Sequence, residues 1–257
     1  MPAPLFTPTF DSLPVEIYQD NEDLGQAAAA QAAHLLRSFL KVEPVVNLIV
    51  ATGNSQLTFY RNLVNLPGVD WGRVYIFHMD EYVGMRPDHP ASFRRFLHEK
   101  LVDRVHPAAF FGVEGDAADP LAECTRYAGL LQQHPAHLVC LGIGENGHIA
   151  FNDPPYANFE DPAWVKIVQL DLRSRQQQVG EGHFASLDEV PTHAITLTIP
   201  ALLSARTLLA IVPERRKSEA VQKALIGPLT PACPASILRT VSHARLYLDL
   251  ESASLIF

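Results

Sequence analysis

The chain predicts an α/β fold: three layers, α/β/α, around a Rossmann-like, mostly parallel sheet with helices on both faces. Two observations carry this prediction. Short, largely apolar runs such as Val45–Ala51 and Leu138–Leu141 have the composition of strands buried on both faces. These runs alternate with stretches of helical length, an order that builds crossover units and not hairpins. Composition agrees, since 47% hydrophobic and 19% charged residues is ordinary globular usage and excludes disordered, collagen-like and coiled-coil chains. At 257 residues about three quarters of the unfolded surface is buried on folding, so the core needs no covalent staples.

Taken in order, Asn21-Glu22-Asp23 reads as a helix start, with a capping side chain and acids in the positive first turn. Ala27–Leu40, rich in Ala and Leu, continues that helix. Val45–Ala51 is a buried strand, Ser55–Leu66 a helix and Val74–Phe77 a short strand. Ser92–Val102 and Leu121–Gln133 are helical, and Leu138–Leu141 is the third buried strand. Val165–Leu170, Ile195–Thr198, Leu208–Val212 and Leu246–Leu250 are further strands, with a helix in Pro213–Leu225. Pro154-Pro155 and Pro228 to Pro234 read as loops. Nothing in composition divides the chain, so one domain over residues 1–257 is expected.

The balance of 20 Lys+Arg against 28 Asp+Glu gives a formal charge of −8. Such a chain is a poor match to a polyphosphate backbone, and no nucleic-acid partner is expected. Cys124, Cys140 and Cys233 lie far apart with no CxxC pair, which argues against a zinc knuckle or a disulfide framework and for buried small side chains. Met1 to Leu13 lacks the basic start and apolar run of a signal peptide. No segment has the roughly 18 consecutive apolar residues of a membrane span. The expected setting is soluble and cytoplasmic, without a membrane partner. A homo-oligomer is compatible with the sequence.

In open α/β sheets ligands sit beyond the carboxyl ends of the strands, and three post-strand loops stand out. Ala51-Thr52-Gly53-Asn54-Ser55-Gln56 places small polar residues before a helix, where backbone N–H groups can meet an anion. The alternative is a tight turn with Ser55 as helix cap. It is not a P-loop, because GxxxxGK[ST] is missing. His78-Met79-Asp80-Glu81-Tyr82-Val83-Gly84 puts two carboxylates directly after a strand. On extended chain they point opposite ways, so only one can face a given pocket. A partly dried carboxylate has a raised pKa and can serve as a general base. A helix cap, or an ion pair to Arg86 or Arg94, is the competing role. Gly142 to Pro154 spells GxGxxG, yet Asn152-Asp153-Pro154-Pro155 ends any helix within two turns, which weakens a dinucleotide reading. What remains is a Gly-rich loop displaying His148, with Asp153 close enough to orient it. No HExxH or HxH supports a metal site, and no GxSxG elbow supports a serine nucleophile.

Together these loops resemble the glucosamine-6-phosphate deaminase (isomerase) family. The matching pieces are Ala51-Thr52-Gly53-Asn54-Ser55, Phe77-His78-Met79-Asp80-Glu81-Tyr82-Val83-Gly84, His89-Pro90-Ala91-Ser92-Phe93 and Gly142 to Pro154. They keep the family's order and spacing from about Asp20 to Asp249. The 6-phosphogluconolactonases of the wider superfamily usually show Gly-His-Thr-Ala-Ser where Gly147-His148-Ile149-Ala150-Phe151 stands here, and they lack Asp-Glu-Tyr.

The resemblance implies a cofactor-free reaction in which glucosamine 6-phosphate, or an epimer such as galactosamine 6-phosphate, and water give a ketose 6-phosphate and ammonia. His148 would move a proton during ring opening, supported by Asp153 and Asn146, and Asp80 would carry the C2 proton to C1. Thr52, Gly53, Asn54, Ser55 and Gly144 would bind the substrate, and Lys217 matches the family's phosphate-binding lysine. Some positions depart from the pattern. Asn146 stands where many members carry an acid, and Asp153 where Glu is usual. The family's phosphate-binding arginine falls near Arg173 to Glu181, where no arginine is in register; either Arg175 substitutes or the phosphate is held without it. Glu160-Asp161-Pro162-Ala163 occupies the place of the basic residues that bind an allosteric activator in some members. Two alternatives remain at this stage. A sugar-lactone hydrolase needs His148 but no C2 base. A sugar-phosphate sensor would carry a DNA-reading helix-turn-helix, and the roughly 40 residues before the first core strand hold only an Ala-rich helix.

Overall fold

The computed structural model describes residues 2–154 and 156–257; Met1 and Pro155, the latter half of the expected Pro-Pro loop, lie outside the described residues. The strands are β1 (Thr9–Phe10), β2 (Leu13–Tyr18), β3 (Val46–Val50), β4 (Val74–His78), β5 (Asp80–Tyr82), β6 (Ala109–Phe111), β7 (Leu138–Leu141), β8 (Val165–Gln169), β9 (His193–Leu197), β10 (Thr207–Val212) and β11 (Ala244–Asp249). Eight of them form one sheet in the order β1-β2-β11-β10-β7-β3-β4-β6. Every neighbouring pair is parallel except β1 with β2.

The alternation of side chains along a strand divides the core into two layers. Val46, Leu48 and Val50 of β3, with Leu209 and Ile211 of β10, pack on the helices Asn21–Leu40 and Leu57–Leu63. Ile49, Val139, Leu141, Leu208 and Val212 point the other way, against the helices Pro120–Gln133 and Ser218–Ile226. Both faces are therefore covered by helices.

The helix Asn21–Leu40 is capped one residue earlier than the sequence pattern places it: the Asp20 carboxylate accepts from the Asp23 N–H, with Glu22 and Asp23 in the first turn. Asp119 caps Pro120–Gln133 in the same way, with proline in the first turn where its missing N–H costs nothing.

Three differences from the sequence pattern matter. The runs near Val165 and Ile195 do not extend the parallel sheet. They are β8 and β9 of a separate antiparallel sheet, order β5-β9-β8. Lys166 and Gln169 interrupt β8, and only Val165 and Val168 of its five residues are buried, unlike the fully buried β3 and β7 of the main sheet. Strand β2, unassigned from sequence, buries Leu13, Val15 and Ile17 at every second position around Pro14 and Glu16. The helix Leu172–Gly180 was also not expected; its run of Arg, Ser and Gln has no apolar face to give a helical period.

Among the described residues, no helix is long and apolar enough to cross a membrane.

Candidate active site

Strands β10, β7, β3 and β4 lie side by side and run in one direction, so the loops that follow them open on one edge. The chain leaves β3 towards β4 and β6, and leaves β7 towards β10 and β11. Connections therefore diverge between β3 and β7, the topological switch point at which such sheets form a crevice. A cavity there is lined by Thr52, Gly53 and Ser55 after β3, Asp80 after β4, Gly144 and His148 after β7, and Lys217 after β10.

The loop after β3 turns at Gly53, whose φ of +97° lies in a region that side chains disfavour. It opens a one-turn 3-10 helix, Asn54–Gln56, that runs into Leu57–Leu63. The Gln56 N–H donates to the Gly53 carbonyl at 3.0 Å, which leaves the N–H groups of Asn54 and Ser55 at the open end of the turn. Gly53 sits at the cap position without a side-chain bond, so Ser55 is not the cap. Asn54 is outside the cavity lining; its amide donates to the Glu181 carbonyl at 3.3 Å.

After β4 the two carboxylates diverge, as alternation on extended chain requires. Glu81 is buried and accepts from Ser92 Oγ at 2.8 Å and from the N–H groups of Tyr82, Phe93 and Arg94, with Arg94 Nε at 3.6 Å. It braces the start of the helix Phe93–Leu97. Asp80 lines the cavity beside Met79, Phe93 and Phe151. Burial pushes its carboxyl up to about 8, and the neighbouring Glu81 charge adds to the shift. Tyr82, Phe93, Phe151 and Phe184 form an aromatic cluster that supplies this dry surrounding.

The loop after β7 folds back on itself, with the Gly144 N–H donating to the His148 carbonyl at 2.9 Å and Gly147 to Gly144 at 3.0 Å. A Cβ on Gly144 would fall 2.2 Å from the His148 ring, so only glycine permits this approach. His148 Nδ1 lies 3.0 Å from Asp153 Oδ1. The same carboxylate accepts from Asn146 Nδ2 at 2.9 Å, Ser174 Oγ at 2.5 Å and the Asp171 N–H at 3.1 Å. Asn146 Oδ1 accepts in turn from the His148 N–H. Burial alone would raise the Asp153 pKa; the hydrogen bonds from His148, Asn146 and Ser174 outweigh it and bring the carboxyl to about 2. Asp153 and Asn146 thus stand behind His148 and do not line the cavity themselves.

Lys217, in the one-turn helix Arg215–Lys217, is 3% exposed. Burial lowers its pKa, and the nearby Glu181 charge opposes the shift. Among the described residues, no arginine lines the cavity. Arg175 does not substitute for one: its guanidinium donates to the carbonyls of Leu187 at 2.5 Å and Val190 at 2.9 Å.

The structure adds residues that the sequence reading missed. The helix Leu172–Gly180 brings Ser174 to Asp153, and Gln177, Gln178 and the following Glu181 to the cavity. Asp171 caps that helix through the Arg173 N–H. An Asp ahead of a run of good helix formers was the available signal. Among the described residues, no three His, Cys, Asp or Glu side chains gather as a metal site requires.

Comparison with known proteins follows the same lines. The family model of glucosamine-6-phosphate isomerases/6-phosphogluconolactonase matches residues 19–247. The chain is 36% identical over 233 residues to a glucosamine-6-phosphate deaminase of Exiguobacterium sibiricum, covering 89% of this chain and 90% of that one. It is 32% identical over 230 residues to one of Listeria innocua, covering 90% and 96%. Among solved structures, a monomeric glucosamine-6-phosphate deaminase superposes with a TM-score of 0.87 at 32% identity, over 94% of this chain and 99% of that one. A 6-phosphogluconolactonase of Shewanella baltica superposes with a TM-score of 0.75 at 20% identity, over 94% and 99%, which shows the shared fold. By the match along most of its length and by these relatives, the chain belongs to the glucosamine-6-phosphate isomerase/6-phosphogluconolactonase family.

Proposed function

We propose that the protein is an amino-sugar-phosphate deaminase/isomerase, converting glucosamine 6-phosphate, or its galactosamine epimer, and water to a ketose 6-phosphate and ammonia. The observation that carries the reading is the convergence of Asp80, His148 and Lys217 on one cavity. The glucosamine-6-phosphate deaminases of Exiguobacterium sibiricum and Listeria innocua, 36% and 32% identical, support the same reaction.

In this reading Lys217 and the first-turn N–H groups after Gly53 hold the phosphate. Asp153 accepts a hydrogen bond from the Nδ1–H of His148, which leaves Nε2 to exchange a proton with the sugar. His148 moves the C1 hydroxyl proton to the ring oxygen and the ring opens to the aldehyde. Asp80, as carboxylate, takes the proton from C2 while the aldehyde oxygen gains one from the substrate's own ammonium group, giving an enolamine, and Asp80 returns the C2 proton to C1. The resulting imine at C2 adds water and expels ammonia, leaving the ketose. Asn146, Asp153 and Ser174 act by holding the imidazole.

The test is ammonia release and ketose formation from glucosamine 6-phosphate and galactosamine 6-phosphate. Asp80→Asn abolishes turnover in this reading while leaving the thermal transition in place. An active Asp80→Asn enzyme removes the assignment of the base. Hydrolysis of 6-phosphogluconolactone without any ammonia release moves the protein to the lactonase branch of its family.

A further inference from the structure

Thr52, Gly53, Ser55, Glu181 and Lys217 line the cavity; Asn54 joins the turn to the Glu181 backbone, and the Glu181 charge acts on Lys217, so these groups form one end of it. That end carries one lysine and one carboxylate. Burial would raise the Glu181 pKa, yet His183, Arg216 and Gln177 hold it down at about 2, so it is ionised. A phosphate monoester brings a charge of about −1.5 to −2 at neutral pH. Next to a buried carboxylate, Lys217 alone leaves an excess of negative charge that a dry pocket disfavours.

The missing cation is adjacent in sequence. Arg216 does not line the cavity but stands behind Glu181, with Nη1 2.6 Å from Glu181 Oε1. Its Nε donates to Glu214 at 2.5 Å, and Glu145 lies 3.5 Å away. These partners are unequal. The Glu181 side chain is 5% exposed, whereas those of Glu214 and Glu145 are 32% and 41% exposed. Ion pairs with such solvated partners hold an arginine weakly. A guanidinium has five N–H donors in a fork that suits phosphate oxygens. Glu181 would keep its bonds to Gln177, at 2.7 Å, and to His183 if Arg216 turned away.

We propose that Arg216 is the second cation of the phosphate site, and that Glu181 is its resting partner, which an incoming phosphomonoester displaces. This deepens the proposed function and rests on it for the identity of the substrate, though not for the anion site. Glu181 then acts as a competitor: it keeps the pocket neutral when empty and sets how tightly the phosphate end is held.

The test is calorimetric titration of the whole protein with inorganic phosphate, alongside steady-state kinetics on the amino-sugar phosphate. Arg216→Gln weakens phosphate binding by about tenfold or more, the scale of a lost charge-assisted contact, and raises KM with little change in kcat. Glu181→Gln tightens phosphate binding severalfold. Arg215→Gln removes the same charge one residue away and leaves phosphate affinity within about twofold. The inference is overturned if Arg216→Gln binds phosphate like the wild type, or if Arg215→Gln is equally weakened, which makes the effect one of net charge. It is also overturned if Glu181→Gln binds more weakly, or if the wild type shows no saturable phosphate binding. Ammonia release by the same wild-type preparation reports separately on the proposed reaction.

Discussion

Asp80 and Glu81 are the same kind of group one residue apart, and their surroundings separate them. Glu81 is enclosed by donors and fixes a helix start, while Asp80 faces the cavity with its pKa pushed up to about 8. The proposed base works as the carboxylate. A raised folded-state pKa means the working form grows in as pH rises through that value. We therefore expect kcat/KM to climb between about pH 7 and pH 9 and level off above it, read from initial rates across that range. A profile already flat from pH 6 contradicts the dry environment given to Asp80. Ser174 is a second case in which surroundings make the role. Its hydroxyl lies 2.5 Å from Asp153 Oδ1 and 3.2 Å from His148 Nδ1. Ser174→Ala should lower kcat about tenfold by loosening the imidazole, with KM changed less than twofold; an unaltered kcat assigns the hydroxyl to packing alone. Asp80 and His148 were legible as candidates because carboxylates and imidazoles after apolar strands are unusual. Ser174 and Glu181 were not, because nothing in a polar run announces which side chain finds a partner in a distant segment, as Ser174 does in Asp153 and Glu181 in Arg216.

At the scale of elements, β9 joins the two halves of the site. It pairs with β5, setting Thr196 opposite Asp80, and its Leu197 N–H donates to the Met79 carbonyl at 2.8 Å. From the other side, Thr196 Oγ1 accepts from the Phe151 N–H, and Asn152 Nδ2 donates to the carbonyls of Leu197 and Ile149 at 2.8 and 3.0 Å. One strand thus clamps both the Asp80 and the His148 loops. Asn152, 1% exposed, is the fastener. Asn152→Ala should cost about 1–3 kcal/mol in chemical denaturation, the scale of a buried carbonyl left unpaired. It should also reduce kcat, since the His148 loop loses its anchor. Full activity at reduced stability would show that the loop holds its shape without β9. The sequence gives β9 a strand composition but cannot give its sheet, because pairing partners are chosen in three dimensions.

At the scale of the molecule, the site lies where the chain reverses direction across the sheet, with loops from four neighbouring strands contributing. Control of the whole enzyme is expected to be simple. At the place where the family resemblance would put activator-binding basic residues, this chain has Glu160-Asp161-Pro162-Ala163, and Asp161 is held by Lys166 Nζ at 2.8 Å. An acid in that place repels a phosphorylated sugar. N-acetylglucosamine 6-phosphate should therefore leave a hyperbolic substrate–velocity curve unchanged, whereas conversion of a sigmoidal curve to a hyperbolic one on its addition would locate an activator site here.

By itself the sequence determined the local things: most of the buried parallel strands, the acidic start of the first helix, and which loops concentrate unusual chemistry. These depend on residues within a turn or two of one another, and composition records them. Only the tertiary structure decided that β8 and β9 leave the main sheet, that Arg175 turns away from the cavity, and that Glu181, which lines the cavity, pairs with Arg216 behind it. Those outcomes hinge on which backbone and charged groups find partners across long stretches of chain, a competition that is settled when the layers pack and leaves no periodic trace in the order of residues.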